Sequence, residues 1–86
     1  MARFSVRYVH PISPRLSDTG PDVEIPDGAF ADRKKLAAVL RQQGALCSGA
    51  RIKGFRVEGP NVVAFPVCPG ITSYWHSVTL APIVGR

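Results

Sequence analysis

Arg51, Lys53 and Arg56 fall within one seven-residue segment, R51-I52-K53-G54-F55-R56-V57, and cations so grouped suit the binding of an anion, phosphate above all. Read as a regular strand, the segment puts Ile52 on the side of Arg56 and against Phe55 and Val57, which frustrates burial of one apolar face. A bulge at Gly54 adds one residue and repairs the alternation. Ile52, Phe55 and Val57 then point inward, and Arg51, Lys53, Arg56 and Glu58 point outward. The plain alternative is a solvated strand face whose charges only confer solubility.

Other groups could carry chemistry but lack the spacing for it. His10, Cys47, Cys68 and His76 are enough ligands for zinc, yet they lie 37, 21 and 8 residues apart with no C-x-x-C pair. Cys47 with a histidine could form a thiolate–imidazole pair, but it follows a helix end and not a helix start, where its pKa would fall. Asp22, Glu24 and Asp27 are scattered among prolines, the setting of turn and capping carboxylates; the spacing of a calcium loop is absent. Neither glycine-rich phosphate fingerprint occurs, although S48-G49-A50-R51 offers a short turn leading into an arginine. Tyr74-Trp75-His76 sets rings on alternate faces of a strand, so that Trp75 or Tyr74 could stack a base or anchor a partner. The plainer outcome for both rings and for His76 is burial with their polar atoms satisfied.

The elements that must position these groups are legible in part. Residues 3–9 alternate, with Phe4, Val6 and Tyr8 opposite Arg3, Ser5 and Arg7, which is a half-buried strand. Were it to lie beside the Arg51 strand, Arg3 and Arg7 would extend the basic surface. Residues 10–30 carry Pro11, Pro14, Pro21 and Pro26 and read as a long acidic loop, with Val23-Glu24-Ile25 able to pair at an edge. A helix is expected from Asp32 to Gln43, with Asp32 as N-cap, Leu36, Val39 and Leu40 as the apolar stripe and Gly44 as the C′ residue. Arg33, Lys34 and Lys35 crowd its first turn, where the helix dipole disfavours cations; a bound anion or the acidic loop would relieve them. A hairpin through Gly59-Pro60 joins the basic strand to a strand over 61–67, and a last strand is expected over 72–80.

The order β-α-β-β-β predicts a small single α+β domain over 1–86, an antiparallel four-stranded sheet with one amphipathic helix on one face. The chain has 86 residues and a net charge of +5, which favours nucleic acid, nucleotides or an acidic surface as partner and disfavours a nucleic-acid mimic. Asp18, Asp22, Glu24 and Asp27 share a stretch free of Lys and Arg, so the acidic loop either lies away from the basic surface or folds back on it. A core this small is commonly supplemented by a partner, which keeps a homodimer in view. Without a signal region after Met1 or a membrane span, cytoplasmic location with free thiols is the default expectation, although Cys47 and Cys68 could pair in another compartment.

These features lead to a non-enzymatic basic protein that engages nucleic acid or a nucleotide, with Arg51, Lys53, Arg56, Arg3 and Arg7 as anion contacts, Trp75 and Tyr74 as stacking rings, and no cofactor or metal. The alternative is a protein-interaction module, such as a phage-type inhibitor of a host defence or an accessory factor, working through loop 10–30 and an open sheet edge. A small dimeric enzyme is the third reading.

Overall fold

The computed structural model describes residues 2–13, 15–71 and 74–83. Strand β1 (Ala2–Val9) is followed by two short strands, β2 (Ser17–Thr19) and β3 (Val23–Ile25). A 3-10 turn at Asp27–Ala31 leads into helix α1 (Arg33–Gln42), and then come β4 (Arg51–Glu58), β5 (Asn61–Val67) and β6 (Ser77–Pro82). All strand pairs are antiparallel, in the order β2-β1-β6-β5-β4, with β3 on the same edge of β1 as β2. This is the expected α+β arrangement of one helix on one face, with six strands in place of four.

The two added strands come from the segment expected to be a loop. Prolines limit each to three residues, and Ser17-Asp18-Thr19 is exposed throughout, so β2 has no apolar alternation to betray it. Val23 and Ile25 are buried beside Glu24, and β3 pairs Ala2–Phe4 as the edge strand its pattern allows.

Two rows of side chains cross the sheet beneath α1. Val6, Leu80, Val62 and Val57 form one, and Tyr8, Val78, Ala64 and Phe55 the other. Leu36, Ala37 and Leu40 of α1 press on this layer and are almost fully buried, so Ala37 joins the expected stripe while Val39 is only partly covered. The helix begins with the Asp32 carboxylate accepting from Lys34 N at 2.9 Å. It ends as a Schellman turn, with Gly44 N donating to the Arg41 carbonyl and Ala45 N to that of Leu40. Gly44 has φ +80°, a conformation that favours glycine, and Leu46 folds back into the core.

Other expectations need correction. The register of β4 against β5 does shift between Ile52 and Gly54, so the bulge is real. Yet Gly54 has no positive φ and open space where a Cβ would stand; the extra residue, and not glycine's freedom, makes the irregularity. Val57 is on the inward face but at the sheet's outer corner, past the reach of α1, and remains 70% exposed. The last strand begins at Ser77, so Tyr74 and Trp75 precede it and alternation does not apply to them; Thr72 and Ser73 lie outside the described residues. Cys47 and Cys68 form a disulfide, because the turn after α1 is brought against the end of β5 with 6.7 Å between their Cα atoms. The expectation of free thiols falls with it. Among the described residues no helix is long and apolar enough to cross a membrane.

Candidate anion-binding groove

Helix α1 lies next to the edge strand β4, and the space between them is an open groove of about 800 Å3. Arg33, Lys34 and Arg41 reach it from the helix, and Arg51 and Lys53 from the strand. Helical geometry puts Arg33, Lys34 and Arg41 on one side, since the offsets of seven and eight residues return close to the same face after two turns. The bulge sets Lys53 at the groove while Ile52 stays in the core. Ala37, Ile52 and Val67 supply the remaining, apolar lining.

Two guanidinium groups brace the groove. Arg33 Nη1 donates to the Lys53 carbonyl at 3.2 Å, and Arg41 Nη1 donates to the Ala50 carbonyl at 2.7 Å. The first ties the helix start to β4 and the second ties its end to the residue just before β4; each uses one of a guanidinium's five N–H groups, leaving the others for a ligand. Arg51, Lys53 and Lys34 are exposed, and among the described residues no carboxylate lines the groove or lies within ion-pair distance of its five cations. Like charges gathered so closely raise the local potential and favour an anion, the more so beside a low-dielectric floor.

The expected contacts divide between this groove and other surfaces. Arg51 and Lys53 line it. Arg56 lies on the uncovered face of the sheet, 5.5 Å from the centre of the Phe65 ring and bonded to Glu58. Arg3 pairs with Asp22 at 3.7 Å, and Arg7 is exposed on β1. Strands β6 and β5 separate β1 from β4, so the strands of Arg7 and Arg51 are not neighbours. Arg7 and Arg56 instead share one cross-strand row, Thr19-Arg7-Thr79-Val63-Arg56, about 14 Å from each other at ordinary strand spacing.

The two stacking candidates pack against the core. Trp75 lies on Tyr8, ring centres 4.9 Å apart and 18° from parallel, with His10 at its edge. Tyr74 accepts from Cys47 N through its hydroxyl at 3.1 Å. Tyr8 in turn donates its hydroxyl to the Ala45 carbonyl, and burial pushes its phenol pKa up, with Tyr74 adding to the rise. His76 faces Phe65 edge-on, and the disulfide takes both thiols of the former ligand candidates.

Arg41 is the groove residue that sequence reasoning missed. Its one signal was a heptad-like offset from Lys34, which becomes informative only once β4 is known to flank that side of the helix. Arg33 and Lys34 were visible as uncompensated first-turn cations. Among the described residues no carboxylate of the acidic segment pairs with them; Asp22 meets Arg3, and Asp18 lies beside His10, at the opposite edge of the sheet. No family model, curated protein or solved structure matches the chain.

Proposed function

We propose that this chain is a non-enzymatic binding protein that holds an anionic partner, nucleic acid or a nucleotide, by its phosphate groups in the groove between α1 and β4. One observation carries the reading: among the described residues, five cations from two elements line a single open groove with no carboxylate beside them. Surface cations that serve only solubility are ordinarily interspersed with acids, as they are at the β1 edge. Arg56 and Arg7, on the uncovered sheet face, are outside the primary site in this reading. The closed disulfide withdraws the support that free thiols lent to a cytoplasmic location and favours an oxidising setting.

The test is purification without nuclease, followed by light scattering and the nucleic-acid-to-protein absorbance ratio at low and high salt. Co-purifying nucleic acid that dissociates with salt is expected, and Arg51→Glu with Lys53→Glu abolishes it. Retention by that double variant sinks the groove as the site. A protein-interaction role is favoured by a separate feature, the exposed Val57 at the free end of edge strand β4, where an extended peptide could add. Protein captured by the double variant but lost on Val57→Asp would turn the assignment that way.

A further inference from the structure

We infer that the groove takes a single strand of nucleic acid by consecutive backbone phosphates, with the bases turned to solvent and unread. This rests on the phosphate-binding reading above and deepens it. Three observations count against stacking of a base, or its readout by a side-chain amide or hydroxyl, in the groove. No aromatic ring lines it, and its neutral lining is Ala37, Ile52 and Val67, which offers no side-chain amide or hydroxyl to a base edge. The rings that could stack are engaged elsewhere, Trp75 on Tyr8 and Tyr74 under Cys47. Cations at phosphates position a strand without reading it, and Arg33 and Arg41 each already donate an N–H to a backbone carbonyl.

Length separates a strand from a mononucleotide. Arg33 and Arg41 are eight residues apart on α1, about 12 Å at 1.5 Å per residue. At one phosphate per about 3.4 Å of a stacked strand, that distance spans about three to four phosphates. The five cations that line the groove suffice for such a run, and a single polyphosphate chain would leave one end unmatched. Lys34 faces the groove while Lys35, its neighbour, flanks a different surface beside Pro26, Ala29 and Val39. The two lysines therefore form a matched pair of equal charge and different position.

The experiment is fluorescence anisotropy with labelled single-stranded homopolymers of DNA and RNA, with duplex DNA and ATP as competitors, from about 50 to about 200 mM salt. All homopolymers are expected to bind within about threefold of one another, better than ATP and better than the duplex. Affinity should fall about 20- to 50-fold over that salt range, as expected for about three to four contacts on a single strand. Lys34→Gln should lower the magnitude of the salt slope by about 0.7, while Lys35→Gln leaves it unchanged. Strong preference for one base, or ATP or duplex binding as tightly as the strand, overturns this inference and leaves the groove reading standing. An equal response to Lys34→Gln and Lys35→Gln overturns it too, because net charge then explains the binding. If none of the probes binds, both the inference and the underlying reading fail.

Discussion

The two edges of the sheet hold similar charged residues in opposite arrangements. At the β1 edge a cation meets an acid, Arg3 pairing with Asp22, and the His10 ring lies 3.7 Å from Asp18. The amide of Gln43 completes that edge, accepting from Glu24 N at 2.9 Å and donating to the Glu24 carbonyl at 2.6 Å. At the β4 edge, Arg33 and Arg41 also satisfy backbone carbonyls, but no carboxylate lines the groove they brace. At the first edge Arg3 is met by an acid; at the second the groove cations are left to meet something else. The number of basic residues is a poor guide to a binding surface, and the distribution of their partners is a better one.

Breaking the frame behind the groove should have the largest effect. The disulfide closes a loop of 21 residues and joins the turn before Arg51 to the residue after Val67, so Cys47→Ser with Cys68→Ser should cost about 3 kcal/mol in chemical denaturation. Oligonucleotide affinity should fall with it, since that staple holds the strand cations opposite the helix. Next comes the β1 edge. A Cβ at Gly20 would stand 2.7 Å from the Tyr8 ring, whose hydroxyl is anchored on Ala45, so Gly20→Ala should destabilise by about 1–3 kcal/mol. Binding by the folded fraction should be unchanged, and a matching loss of affinity would show that the two edges are not independent.

Tyr8 gives a smaller effect with a defined pH dependence. Its folded pKa is raised above the ordinary value of 10.0, so above that pH the unfolded chain loses the proton more readily than the native one. The stability it contributes is intact below pH 10.0 and declines as pH rises through the folded pKa. Denaturation across that window should show the decline, and Tyr8→Phe should flatten it while costing about 1 kcal/mol through the unpartnered Ala45 carbonyl. The smallest change is expected from Asp22→Asn, which removes an exposed ion pair worth about 0–1 kcal/mol and frees Arg3. If Asp22→Asn creates a second binding surface, pairing alone distinguishes the edges; if binding is unaltered, the shape of the α1–β4 groove matters as well.

Local patterns carried much of the architecture. Period-two alternation in Phe4-Val6-Tyr8 defined β1, and Asp32 and Gly44 bracketed the helix, because caps and alternation depend on near neighbours. The bulge between Ile52 and Gly54 was legible for the same reason: burial of Ile52 and Phe55 on one face requires an extra residue. Strand β2 was not legible, since three exposed residues pair only because β1 presents a free edge to them. The site was half visible. Arg51 and Lys53 share a strand and Arg33 and Lys34 a helical turn, but nothing local joins the two groups or adds Arg41.

The chain by itself therefore determined the helix, the main strands, the net positive charge and the separation of acids from bases along the sequence. Tertiary structure decided which bases would meet those acids. Strand order placed the acidic segment on β1 and the helix beside β4, so Arg3 acquired a partner and Arg51 did not. It also closed Cys47 onto Cys68, a contact between residues that no local rule relates. The physical reason is range: capping and periodicity act over a few residues, whereas electrostatic neutralisation and cross-linking depend on distances set only when the whole sheet has assembled.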